Sequence, residues 1–218
     1  MKLSNALLSV VATFVLGAAI GASSMLVPQQ PTSVISIPSD EGVAGGGFTM
    51  VVPNNMTHRQ AELLAMAYDI AKRDGHRYPQ LLQGIILQET NAGQARNYKV
   101  AGQEYGLKPN ERYYGVAQIK LAAARDVLSR YPELKTQFEF NTMADEEVIA
   151  KLIENDNFNL SIASKYLLIL KSYGYDTMKT IAMAYNRGAG GASGKDANTN
   201  PYAQGVMAFI QKLPQRKT

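Results

Sequence analysis

Helical periodicity in capped segments, from residue 57 onward, constrains this chain more than any other feature. "THRQAELLAMAYDIAKRDG" starts at Thr57, a suitable N-cap, with Gln60 at the capping-box position. Leu63, Met66, Ala67 and Ile70 recur at three- and four-residue spacing and form one apolar stripe. Gly75 is suited to end that helix. The same reasoning predicts helices from about Pro79 to Thr90 and from near Gln118 to just before Pro132. It predicts another in "TMADEEVIAKLIE", with Thr142 as cap and acids in the first turn, where the helix dipole favours them. A mostly apolar helix follows in "FNLSIASKYLLILKSYG", and Asp176 is expected to cap "TMKTIAMAY". Residues 187–199 are rich in Gly and Asn and predict a loop, after which Asn200 and Pro201 open a last helix. No strand-length alternation stands out. The expectation is a mainly α domain over residues 50–218.

Two different segments precede it. Residues 3–27 carry no charge, and Lys2 stands before them. A positive start and an apolar run fit a secretory signal, with Ala22 and Ser24 near a plausible cleavage site. The run is also long enough for one membrane anchor. Both readings of residues 1–27 stay open, and both predict an exported domain in the periplasm or cell envelope. Residues 28–49 are rich in Pro, Ser and Gly and predict a flexible linker.

Charge and composition narrow the chemistry. The net charge of +4 suits an anionic cell-wall polymer or a membrane surface. No basic run with interleaved aromatics argues for nucleic acid. With no cysteine, the chain has no disulfide, thiol nucleophile or cysteine-ligated zinc. His58 and His76 are not spaced as a metal pair and predict solvated helix-end residues. No metal or organic cofactor is expected.

One acid is out of pattern. In "LLQGIILQETNAGQ", Glu89 lies seven, four and three residues beyond Leu82, Ile85 and Ile86. At about 100° per residue it falls on their apolar stripe, at the C-terminal end of the helix. Burial and the negative end of the helix dipole both disfavour its charged form. A carboxyl protonated near neutral pH is what a general acid needs.

Three later segments bear on that acid. "RYYGVAQIKLAAA" contains Gly115 and Gln118, "AMAYNRGAGG" contains Tyr185 and Asn186, and "NPYAQGVMAFIQKL" puts Tyr202 on the first turn of the last helix. Taken in order, they resemble the soluble lytic transglycosylases of the lysozyme superfamily. That family's pattern is Glu-Ser ending a helix, a Gly-Leu-Met-Gln-Ile-like segment, Ala-Tyr-Asn-x-Gly, and a late Tyr on a helix. Its counterparts here are Glu89-Thr90, Gly115 to Ile119, Ala184 to Gly188, and Tyr202. The resemblance covers roughly residues 58–213. Thr90 stands where the family has Ser, and Val116-Ala117 where it has Leu-Met. The stretch from Glu89 to Gly115 is longer than usual, and Tyr113 and Tyr114 stand near the family's Ser and Gly-Ala.

The resemblance implies a lysozyme-like helical fold with a substrate groove. It implies cleavage of the β-1,4 bond between N-acetylmuramic acid and N-acetylglucosamine in peptidoglycan, leaving a 1,6-anhydromuramyl end. Glu89 would serve as acid and then base. Thr90, Gln118, Tyr185 and Asn186 would contact sugars, and Tyr185 would offer its hydroxyl to the acid or to an acetamido group. Tyr114 and Tyr202 would be stacking surfaces. A hydrolytic muramidase on the same fold needs a second carboxylate, for which Glu104, Glu111 and Asp126 are candidates. A non-catalytic wall-binding module is the alternative from another class. Wall remodelling, secretion or conjugation machinery, and phage entry all use such domains.

Overall fold

The computed structural model describes residues 32–37, 48–53 and 56–213. The signal or anchor expected over residues 1–27 lies outside them. The chain divides into Met1–Gln30 and Pro31–Thr218, and the second unit is the one described. Among the described residues no helix is long and apolar enough to cross a membrane.

One strand lies where the sequence predicts linker, and a second runs from the end of that linker into the domain expected from residue 50. β1 (Thr32–Ile37) pairs antiparallel with β2 (Phe48–Pro53), from Thr32 opposite Pro53 to Ile37 opposite Phe48. The segments "TSVISI" and "FTMVVP" are rich in β-branched residues, which favour the extended backbone. The surrounding Pro, Ser and Gly obscure that local signal.

The rest is mainly helical. In chain order the helices are α1 (His58–Arg73), α2 (Gln80–Thr90), α3 (Leu121–Arg130), α4 (Glu133–Gln137), α5 (Asp145–Glu154), α6 (Asp156–Ser172), α7 (Met178–Ala192) and α8 (Pro201–Gln211). A two-residue ribbon, β3 (Val100–Ala101) with β4 (Tyr113–Tyr114), lies between α2 and α3. The capping box of Thr57 and Gln60 forms as expected, and Asn200 caps α8 with Pro201 at its first position.

Three boundaries differ from expectation. Thr177, not Asp176, caps α7: its hydroxyl accepts the Thr180 amide at 3.2 Å, and the Thr180 hydroxyl accepts the Thr177 amide at 3.1 Å. The cap of α5 is Ala144, not Thr142. Glu147 reaches back to accept the amides of Asn141, Thr142 and Met143, so this segment closes on a side chain before the helix starts. Finally, α7 runs on through the expected loop to Ala192, broken at Gly188, whose φ of 72° and ψ of 157° are not helical.

α6 is the central helix, packing against α1, α3, α5 and α7. It is therefore apolar on several sides, with Phe158, Leu160, Ile162, Ala163, Leu167 and Leu170 all buried. Its buried polar residues are partnered. Ser164 donates to Asp74 at 2.7 Å and so can only accept from His76 Nε2, 3.0 Å away. That fixes the His76 proton on Nε2. His76 is thus half-buried rather than solvated, and burial lowers its pKa.

α2 packs mainly on α8, α1 and α7. The α2–α8 approach is close because two glycines face across it. A Cβ on Gly84 would lie 2.6 Å from Ile210 Cγ1 and 3.0 Å from the Val206 carbonyl. One on Gly205 would lie 2.2 Å from Gln88 Oε1. This contact brings the start of α8 to the end of α2.

Candidate active site

Glu89 sits in the last turn of α2, which is otherwise almost wholly buried. The chain then leaves the helix through Asn91, Ala92 and Gly93, all with positive φ. The amides of Asn91 and Ala92 return to the carbonyls of Leu87 and Ile86, and Gln60 on α1 donates to the Asn91 carbonyl. The acid is therefore held by a closed helix end. It is half-buried, so protein surrounds it while part of its surface stays open.

Its carboxyl receives one hydrogen bond, from the Tyr202 hydroxyl to Oε1 at 2.6 Å. Burial raises its pKa from 4.5 to about 7, and the Tyr202 hydrogen bond acts in the opposite direction. No second carboxylate contributes to that shift. Burial and the Glu89 charge hold the Tyr185 and Tyr202 phenols well above their ordinary value. Both phenols are therefore donors at neutral pH, and both belong to the electrostatic surroundings of Glu89.

The second wall is the turn from Gly115 to Ile119. Tyr114 and Ile119 exchange backbone hydrogen bonds at 3.0 Å, which closes it. Gly115 has φ +70°, and a Cβ there would lie 2.2 Å from Asn159 Nδ2 and 2.3 Å from the Leu152 carbonyl. Three side chains from other elements pin this turn. Thr90 donates to the Val116 carbonyl at 2.8 Å, Tyr185 donates to the Ala117 carbonyl at 2.6 Å, and Asn159 accepts from the Ala117 amide at 2.9 Å. Asn159 also donates to the carbonyls of Tyr114 and Leu152. The acid-bearing helix, the turn and α7 are thus fastened together around one point.

The candidate residues divide accordingly. Glu89, Tyr185 and Tyr202 come together. Tyr202, expected as a stacking surface, supplies the hydroxyl to the acid, and Tyr185, expected to offer that hydroxyl, holds the turn instead. Thr90 is buried, and its hydroxyl also accepts the Gly93 amide, so it fastens the wall from inside rather than facing a ligand. Tyr114 is only 1% exposed, with its hydroxyl donating to the Pro109 carbonyl at 2.7 Å, so its ring offers no stacking surface. Gln118 has φ +52°, and its amide NH2 donates to the Tyr98 and Gly115 carbonyls. Asn186 is exposed on α7, just past Tyr185.

The three candidate second acids lie in other settings. Glu104 is exposed in a 3-10 turn, Glu111 accepts the Lys108 amide, and Asp126 pairs with Arg130 at 2.8 Å. Among the described residues no group of three His, Asp or Glu side chains is placed to hold a metal ion. A cavity of about 560 Å³ between the start of α7 and the residues before α8 does not include Glu89, Tyr185 or Tyr202.

Sequence reasoning missed Asn159. Its only signal is an amide inside an apolar helix, which must find buried partners. Comparison of the chain with family models, with curated proteins and with solved structures finds no match.

Proposed function

We propose that this chain is a peptidoglycan lytic transglycosylase with a lysozyme-like helical fold, acting in the cell envelope after export. The observation that carries the reading is Glu89: a carboxyl buried enough to stay protonated to about pH 7, steadied by one phenol. The motif order Glu89-Thr90, Gly115–Ile119, Ala184–Gly188 and Tyr202 supports it.

In this reading Glu89 gives its proton to the glycosidic oxygen as the bond from the muramyl anomeric carbon breaks. The N-acetylglucosamine leaves with a new hydroxyl. The muramyl C6 hydroxyl then attacks that anomeric carbon, and ionised Glu89 takes the hydroxyl proton. The product carries an intramolecular 1,6-anhydro bond, no water is consumed, and Glu89 ends protonated. One carboxyl is enough for both transfers. Tyr202 keeps a donor on the carboxylate between them. Asn186 and the Gln118 amide oxygen are the polar groups left to orient sugars, and Tyr185 fixes the wall that carries Gln118.

A hydrolytic muramidase would need a base opposite Glu89, and Glu104, Glu111 and Asp126 are each engaged or exposed elsewhere. The test is mass spectrometry of peptidoglycan digested by wild type and by Glu89→Gln. Anhydromuramyl products that vanish in the variant are expected. Reducing muramyl ends would make the chain a muramidase. Undiminished clearing by Glu89→Gln would remove Glu89 from the chemistry, and a wild-type chain that binds but cleaves nothing would be a non-catalytic wall-binding module.

A further inference from the structure

The segment between Glu89 and Gly115 has no role in the chemistry above, yet it is built onto the same wall. Lys99 offers its carbonyl to the Gly115 amide at 3.1 Å, and Tyr98 offers its own to Gln118. The β3–β4 ribbon thus adjoins the turn held by Thr90, the chain neighbour of Glu89, and by Tyr185. Residues 94–120 hold five cations against two carboxylates, in a chain of net charge +4.

On and beside this ribbon, exposed cations and exposed rings occur together. Some exposed cations elsewhere are paired, such as Arg59 with Asp156 and Arg130 with Asp126, and others such as Lys72, Arg77 and Lys195 are not. Arg96, Lys99, Lys108 and Lys120 are exposed and make no such pair among the described residues. Three large hydrophobic side chains are exposed among the described residues, and two of them, Tyr105 at 69% and Tyr113 at 38%, are here. Lys120 lies over the Tyr113 ring, 4.7 Å from its centroid. Exposed rings among uncompensated cations suit a ligand that is both planar-faced and anionic.

We infer that this ribbon is a docking surface for the uncleaved, acidic peptidoglycan strand next to the cut site. Sugar faces stack on Tyr105 and Tyr113, and Arg96, Lys99, Lys108 and Lys120 meet the carboxylates carried by muramyl side chains and stem peptides. The inference rests on the proposed substrate. It also explains the long insertion before Gly115, which holds the polymer while Glu89 works on one bond. Nucleic acid shares the anionic, stacking chemistry. The continuity of the ribbon with the Glu89 wall favours the glycan.

The test measures co-sedimentation of the full chain with insoluble peptidoglycan sacculi at rising salt, in a Glu89→Gln background so that the polymer stays intact. Lys99→Gln/Lys108→Gln/Lys120→Gln should weaken binding roughly tenfold at low salt and flatten its salt dependence. Tyr105→Ala, at a position too exposed to affect folding, should also weaken it. Sacculi with carboxylates capped as neutral amides should bind wild type and the triple variant alike. Unchanged binding by both variants would overturn the inference, as would full wild-type binding to capped sacculi. Tighter binding to a single-stranded oligonucleotide than to sacculi would overturn it in favour of nucleic acid. If the wild-type chain binds through the ribbon but cleaves nothing, the catalytic reading falls and the surface stands. If it cleaves but the ribbon variants bind normally, the reverse holds.

Discussion

Replacing Glu89 with Gln should change stability in a pH-dependent way, whatever the substrate. Burial raises the folded-state pKa of Glu89 from 4.5 to about 7. Below pH 4.5 the carboxyl is protonated in both folded and unfolded chains, and the acid carries no penalty. Between 4.5 and 7 the unfolded chain loses its proton while the folded chain keeps it, so stability falls as pH rises. Above about 7 the folded chain holds a half-buried carboxylate and bears the whole penalty. At about 1.4 kcal/mol per pH unit the shift corresponds to roughly 3 kcal/mol. The open side of the carboxyl trims that toward about 2 kcal/mol, through solvent screening. Glutamine has nearly the same shape, never ionises, and still accepts from Tyr202. The variant should therefore match wild type at pH 4 and exceed it by about 2–3 kcal/mol at pH 8. Urea unfolding followed by circular dichroism at pH 4, 6 and 8 measures this directly. A difference that does not vary with pH, or a variant weaker than wild type at pH 8, would refute the burial of this acid.

Other expected outcomes concern its neighbours. Tyr202→Phe removes the hydrogen bond that favours the Glu89 carboxylate, so the Glu89 pKa should rise further, by about one pH unit. Carbon-13 NMR of labelled Glu would record it, and an unchanged or lower value would contradict the 2.6 Å contact. Gly115→Ala should cost about 3 kcal/mol or more, from a left-handed φ and a Cβ driven against Asn159 and the Leu152 carbonyl. Thermal unfolding checks it. Glu147 is held near a pKa of about 2 by the amides of Asn141 and Thr142. Its contribution is present above pH 4.5 and lost as pH falls through 2. Glu147→Gln should therefore lower the melting temperature at pH 7, with a deficit that narrows toward pH 2.

Most of the helical architecture, and the unusual place of Glu89, can be read from the order of residues alone. Both follow from local rules. Apolar residues at three- and four-residue spacing must share a face, and an acid in phase with them must share their burial. Caps such as Thr57 and Asn200 are equally local. Where local signals compete, the boundary moves. Thr177 displaces Asp176 as a cap because it forms a reciprocal pair with Thr180. The glycine-rich run after Tyr185 breaks at Gly188, as its composition suggests, but a further helical segment then continues to Ala192. β1 and β2 depend on pairing between segments ten residues apart, which no single window displays.

Which side chain does what around the acid is settled by packing. Thr90, Tyr114, Tyr185 and Tyr202 all carry hydroxyls near the motifs, and spacing along the chain does not rank them. Gly84 and Gly205 let α8 approach α2, which brings the Tyr202 hydroxyl onto Glu89. Asn159, from the first turn of α6, claims the turn from Gly115 to Ala117 and draws Tyr114 into the core. Hydrogen bonds reach only about 3 Å. Their partners are therefore set by where whole helices come to rest, and burial across the domain, rather than any one segment, decides that.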